Sequence, residues 1–83
     1  MAHSGADIEG LVRYLVESLV DSPETVRIEA TESGDTVRFA VELDADDVGK
    51  VIGRGGRIIK AIRTLARAAG SAEGRHVEVD IVG

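Results

Sequence analysis

The chain has 83 residues, enough for one small domain, and contains no cysteine, which excludes disulfides and thiolate metal sites. No apolar run approaches the roughly 20 residues that cross a bilayer, and the N-terminus lacks the basic and then apolar segments of a secretory signal. We therefore expect a single domain over residues 1–83 that resides in the cytoplasm and has no membrane partner.

The charges are distributed unevenly along the chain. The net charge of −5 would by itself argue against a nucleic-acid partner. Residues 1–49 contain twelve acidic residues and only three arginines, whereas residues 50–70 contain six cationic residues and no acidic one. Because salt screens surface fields beyond roughly 8–10 Å, this local basic segment matters more for phosphate binding than the overall charge does.

A helix is predicted from Ile8 onward, after a stretch at residues 1–6 that is expected to be disordered. Apolar residues recur at helical spacing through this segment, so one face of the helix should be buried. Ser22-Pro23 should end the helix, because a residue before proline avoids the helical conformation. The predicted buried stripe consists of Ile8, Leu11, Val12, Leu15, Val16, Leu19 and Val20.

Two strands joined by a turn should follow this helix. Val26, Ile28 and Ala30 alternate with polar or charged residues, as in a strand with one buried face. Residues 32–35, with the sequence ESGD, favour the turn of a hairpin. The second strand has an alternating set of apolar residues that should face the core, namely Val37, Phe39, Val41 and Leu43.

Two helices separated by a glycine-rich turn are predicted next. Asp44 can cap a short helix over residues 45–52, and the turn at residues 53–56 interrupts it. A third helix should run over residues 57–69, with basic residues on the side opposite its buried face. The residues of this helix expected to be buried are Ile58, Ile62, Leu65, Ala66 and Ala69, and those on the opposite side are Lys60, Arg63 and Arg67.

The C-terminal segment completes an α+β fold. Gly70 and Gly74 should frame a loop, after which Val77, Val79 and Ile81 alternate as a third strand. The short turn between the first two strands requires antiparallel pairing, whereas the helical connection of about thirty residues before the third suits parallel pairing. The predicted order is α-β-β-α-α-β, with three helices on one face of a three-stranded mixed sheet. The other face should expose Arg27, Glu29, Arg38, Glu42, Glu78 and Asp80.

The most informative motif is Gly-x-x-Gly at residues 53–56, inside the basic segment. Glycine leaves backbone N–H groups uncovered, so a bulky anion can approach them closely. The motif alone is weak evidence, since plain turns also use glycine. Here Ile52 and Ile58 anchor it in the core, Arg54 and Arg57 supply cations, and strands bracket the helix pair. In this setting the motif predicts a KH domain, which clamps the backbone of about four single-stranded nucleotides.

Residues 49–64, with the sequence GKVIGRGGRIIKAIRT, resemble the core of the KhpA family, the small single-KH-domain RNA-binding proteins of bacteria. The N-terminal helix is similar to that family as well. The resemblance implies a type II KH domain that is not an enzyme and that binds RNA as an RNA chaperone or post-transcriptional regulator. It also implies pairing with a second copy or with a larger Jag-type KH protein, and in some bacteria a link to cell elongation or division.

One position departs from the family pattern. The second variable residue of the turn is often polar or basic in relatives, whereas this chain has Gly55. A glycine there should loosen the turn. The expected effect is on the strength of RNA binding and not on its kind.

The expected RNA-binding site consists of the turn and its flanks. Backbone N–H groups and the start of the third helix should bind phosphates, with bases lying in an aliphatic groove lined by Ile52 and the second strand. With Tyr14 and Phe39 as its only aromatic residues, the chain lacks a base-stacking platform. No catalytic constellation, metal site or cofactor site is expected. The expected RNA-binding residues are Lys50, Ile52, Gly53, Arg54, Gly55, Gly56, Arg57 and Lys60.

Two further questions stay open at the level of sequence. Arg63 and Arg67 would extend the RNA track or simply form a solvated helix face. The acidic N-terminal half favours an alternative function, in which a KH-shaped module mediates protein interaction or dimerisation in an elongation or division complex and binds little RNA itself.

Overall fold

The computed structural model describes residues 5–82. Its helices and strands follow the predicted order and form an α+β domain. The helices are α1 (Gly5–Glu17), α2 (Ala45–Ile52) and α3 (Arg57–Ser71), and the strands are β1 (Arg27–Ser33), β2 (Thr36–Glu42) and β3 (His76–Val82). Short 3-10 turns occupy Pro23–Thr25 and Arg54–Gly56. Within residues 5–82, every helix falls short of the length and apolarity that crossing a membrane requires.

The three strands form one mixed sheet with β2 in the centre. β1 pairs with β2 antiparallel, and Ser33 lies opposite Thr36 so that only two residues form the turn. β2 pairs with β3 in parallel, with Phe39 opposite Val79. This topology confirms the predicted hairpin and the predicted parallel crossover.

The core lies between one face of the sheet and the three helices. The helix-facing side chains of β2, Val37, Phe39 and Val41, are at most 1% exposed. On the other face of the sheet Arg38 donates to Glu78 at 2.9 Å and lies 3.5 Å from the Asp80 carboxylate, as its polar alternation predicts. The buried apolar side chains of the helices are Ile8, Val12, Val16, Val51, Ile59, Ile62 and Ala66.

The first helix differs from its prediction at both ends. It begins at Gly5, within the stretch expected to be disordered, and residues 1–4 lie outside the described residues. It ends at Glu17 and not near Pro23, and just beyond it the Leu19 N–H bonds to the Val16 carbonyl at 3.0 Å in a tighter, non-α turn. Leu19, expected in the buried stripe, is consequently 36% exposed.

The buried face of α3 is rotated from the one predicted. Ile59 is buried where Ile58 was expected, and Leu65 is 49% exposed. The helix also includes Gly70, which the sequence placed in the exit loop. A side chain at Gly70 would lie 2.4 Å from a methyl group of Val77, so glycine allows α3 to approach β3 closely.

Candidate nucleic-acid interface

The turn between α2 and α3 has a backbone that only glycine adopts readily. Gly53, Gly55 and Gly56 have φ angles of 77°, 65° and 75°. Gly53 combines its positive φ with a ψ of 170°, a region that side chains essentially exclude. A Cβ at Gly53 would lie 2.6 Å from Cγ1 of Ile58, so the absence of a side chain also lets the first residues of α3 fold back over the turn.

Some backbone donors of this turn have no partner within the turn itself. The Gly53 N–H donates to the Gly49 carbonyl at 2.9 Å and the Gly56 N–H to the Gly53 carbonyl at 3.1 Å. By contrast, Arg54 and Gly55 are the first two residues of the 3-10 turn, whose hydrogen bonds are donated by Gly56 and Arg57, so their N–H groups have no partner within that turn. They precede the N-terminus of α3, where the aligned peptide dipoles favour an anion. The turn can therefore donate hydrogen bonds to a phosphate.

The cations nearest the turn form no ion pair with a carboxylate of residues 5–82. Arg54, Arg57 and Lys60 are all exposed, and no ion pair forms at any of them in the described part of the chain. A guanidinium that has no internal partner can bind a phosphate without first losing an existing contact. These three side chains together with the turn amides form the anion-binding part of the candidate site.

The sequence predicts that Lys50 belongs to the same group of RNA-binding cations, but in the structure Lys50 is paired with carboxylates. Its ammonium lies 2.5 Å from the Asp21 carboxylate and 3.0 Å from that of Asp47. The Asp47 side chain is buried and also accepts the backbone N–H groups of Asp21 at 3.2 Å and Ser22 at 3.1 Å. The structure thus joins Lys50 to two carboxylates and does not leave it free beside the turn.

These contacts shift the titration of both groups. The hydrogen bond from Lys50 holds the pKa of the Asp47 carboxyl below its ordinary value of 3.8, against the opposing effect of burial. Hydrogen bonds to Asp21 and Asp47 raise the pKa of Lys50 to about 12. The pair is therefore fully ionised near neutral pH. Asp44 caps α2 as predicted, by accepting the Asp46 N–H at 2.9 Å, whereas no local pattern in the sequence indicates the partners of Asp47.

Arg63 and Arg67 lie further along α3, away from the turn. The half-buried Arg63 donates from Nε to the Val79 carbonyl at 2.9 Å, which ties α3 to the free edge of β3. It is therefore not simply on a solvated helix face. Arg67 is exposed and lines a surface cavity of about 680 Å³ near the C-terminal end of α3.

The expected aliphatic groove is only partly available. Ile52 is half-buried and packs against the core with part of its surface accessible. The second strand cannot line a groove on this side, since β2 is central in the sheet and its helix-facing side chains are at most 1% exposed. This part of the prediction is wrong, because the helices cover that face of β2.

Curated relatives match this chain over most of its length. RNA-binding protein KhpA of Oceanobacillus iheyensis is 41% identical over 75 residues, which cover 90% of this chain and all of the relative. The protein of the same name from Clostridium perfringens is 40% identical, over 87% of this chain and 96% of the relative. That of Borreliella burgdorferi is 38% identical over 99% of both chains. These names describe RNA-binding proteins and not enzymes, as expected for this chain.

A solved structure supports the fold, and a family model gives the family. Aquifex aeolicus Era, crystallised as a variant bound to GDP·AlF4⁻, matches with a TM-score of 0.59 and 19% identity. The match covers 89% of this chain but only 29% of the Era chain, so the likeness concerns the fold of one part of that protein. The model of the KhpA/KhpB KH domain matches residues 9–81. The chain therefore belongs to the KhpA/KhpB family of KH-domain proteins.

Proposed function

We propose that this protein binds single-stranded RNA at the Gly53–Gly56 turn. The observation that carries the proposal is the pair of backbone N–H groups at Arg54 and Gly55, which begin the 3-10 turn without a partner inside it and lie beside exposed cations that form no ion pair within residues 5–82. The printed names of the curated relatives, which describe RNA-binding proteins, support the same ligand.

In this proposal the turn holds the RNA backbone and the cations neutralise it. The amides of Arg54 and Gly55 and the N-terminus of α3 bind one or two phosphates, and Arg54, Arg57 and Lys60 contact the neighbouring phosphates. Glycine at positions 53, 55 and 56 lets the phosphates approach the backbone closely. Ile52 offers apolar surface to a base. The clamp holds about four nucleotides. The resemblance further supports a cytoplasmic RNA chaperone or post-transcriptional regulator.

Titration with a single-stranded oligoribonucleotide of random sequence, followed by NMR at low ionic strength, tests the proposal. We expect the backbone resonances of residues 53–57 to shift most, because the amides there contact phosphate directly. Contacts with three or four phosphates predict a log–log slope of affinity against salt of roughly −2 to −3. If the resonances of the turn do not shift at saturating RNA, the proposed site is wrong, whatever the affinity of the protein for RNA.

A second function, assembly with another KH protein, is favoured by exposed apolar surface between α1 and α3. The α1–α3 apolar patch consists of Tyr14, Leu19, Ile58, Ala61 and Leu65, around a groove of about 410 Å³. The exposed fractions of Tyr14, Leu19 and Leu65 are 70%, 36% and 49%. Large apolar side chains grouped in this way are typical of surfaces that bind another protein.

We propose that a second copy of this chain covers the patch, with a Jag-type KH protein as the alternative occupant. Sedimentation velocity of Leu65→Lys tests this. The variant should sediment as a monomer at concentrations where the wild type is dimeric, because a buried lysine ammonium would lack a partner. Thr64→Lys is the matched control, since its exposed side chain lies outside the patch and gains the same charge. Equal sedimentation of all three proteins would contradict this interface.

A further inference from the structure

Asp47 joins two segments that are distant in sequence. Asp47 is 2% exposed, and its carboxylate accepts the backbone N–H groups of Asp21 and Ser22 and a hydrogen bond from the Lys50 ammonium at 3.0 Å. Lys50 in turn contacts the Asp21 carboxylate, which is 82% exposed. We call this set, formed by Asp21, Ser22, Asp47 and Lys50, the α2 latch. It binds the loop after α1 to the helix whose C-terminal end leads into the glycine turn.

We infer that Lys50 is a positioning residue for RNA binding and not itself an RNA ligand. The inference rests on the proposed function for its RNA readout. Through the α2 latch, Lys50 and Asp47 hold α2 against the loop at residues 21–22. This contact fixes the position of the backbone amides of the turn and of the Arg54 and Arg57 side chains.

The geometry disfavours an ion pair between the Lys50 ammonium and an RNA phosphate. An ammonium that moved to RNA would leave Asp47 as a buried carboxylate without a cation, an arrangement that proteins avoid because desolvated charge is costly. Two carboxylates already surround the ammonium at 2.5 and 3.0 Å, and they would also repel an approaching phosphate. Arg57 carries the same charge with no such partners, so it serves as the comparison.

The α2 latch is also placed to affect the turn. Only two residues separate Lys50 from Gly53, and the Gly53 N–H is bonded to the Gly49 carbonyl within the last turn of α2. At its other end α2 is fixed by the Asp44 cap. Loss of the latch would free the middle of this eight-residue helix and let its C-terminal end shift.

The test compares Lys50→Met with Arg57→Met, using fluorescence anisotropy of a labelled random-sequence oligoribonucleotide over a range of KCl concentrations. For Lys50→Met we expect Kd to rise roughly threefold to tenfold with an unchanged salt slope. For Arg57→Met the magnitude of the slope should fall by about 0.7, because one phosphate contact is lost. Lys50→Arg should restore the wild-type Kd, since a guanidinium can also bridge the two carboxylates.

Amide hydrogen exchange at Asp21 and Ser22 provides a readout that needs no RNA. Exchange should be faster in Lys50→Met and close to wild type in Lys50→Arg. A salt slope reduced by about 0.7 in Lys50→Met would overturn the inference whatever the exchange rates, since it would make Lys50 a phosphate ligand. Unchanged affinity and unchanged exchange would overturn it as well. If the wild type binds no RNA, the proposed function fails, while the exchange rates still decide whether the latch exists.

Discussion

Replacing Arg54 and Gly55 by aspartate is expected to abolish RNA binding and to leave the fold intact. The change places two carboxylates where the phosphate would bind. Repulsion between these carboxylates and the phosphate should weaken binding at least about 100-fold. Position 55 accepts the side chain, because no atom lies within 4 Å of an added Cβ there. Its φ of 65° and ψ of 17° are left-handed helical values, which aspartate tolerates better than most residues.

The matched control for this variant is Arg27→Asp combined with Gly34→Asp. Gly34 also has a positive φ, 59°, and open space around an added Cβ, and Arg27 is an exposed residue of β1. The control therefore has the same change in net charge and a similar backbone cost at a distance from the turn. Equal loss of RNA binding in both variants would show that overall charge and not the turn governs affinity. Wild-type affinity in Arg54→Asp, Gly55→Asp would refute the site.

Much of the fold could be predicted from local sequence patterns, because the apolar residues of these patterns are the ones that the folded domain buries. Val37, Phe39 and Val41 alternate with polar residues, and this alternation survives as a buried and an exposed face of β2. Asp44 caps α2 as its residue type and position suggest. Such features depend on neighbours within a few residues, so no tertiary information is needed to predict them.

The buried face of α3 shows where local patterns stop being decisive. Ile58, Ile59 and Leu65 are all apolar, and a helical wheel cannot decide which of them faces the sheet when apolar residues occupy more than one face. The choice depends on where β3 and α1 lie. Gly70 gives the complementary case, since its lack of a side chain suggests a loop, whereas the structure uses it for close packing against Val77.

The candidate site was predictable as a segment but not residue by residue. The basic stretch predicts the turn and its cations as one cluster, yet charge counting treats all six cations alike. The Lys50 ammonium is hydrogen-bonded to Asp21, which is 29 residues away in sequence, and the Arg63 guanidinium is hydrogen-bonded to the carbonyl of Val79. Both cations are therefore engaged within the protein. Contacts of this range follow from the packing of the whole domain and leave no signal in the local sequence.

Gly53→Ala is expected to be the most destabilising substitution in the turn. The methyl group would meet Cγ1 and Cβ of Ile58 at 2.6 and 2.9 Å, and an atom next to the backbone cannot swing aside as a side-chain tip would. The backbone of Gly53 also lies in a region that costs a side chain about 1–3 kcal/mol. With a similar cost for overpacking, we expect the free energy of unfolding to fall by about 3–5 kcal/mol in urea titrations.

Gly55→Ala is the control that separates the two contributions. It also introduces a methyl group at a positive φ, 65°, but into open space, so only the backbone cost of about 1–2 kcal/mol should appear. The difference between the two variants then measures the contact with Ile58. Because a domain of this size lies near the lower end of the usual stability range of about 5–15 kcal/mol, Gly53→Ala should be partly unfolded at 37 °C while Gly55→Ala stays folded. Equal stabilities would mean that Ile58 moves away at no cost, and that glycine at position 53 is not needed to seat α3 over the turn.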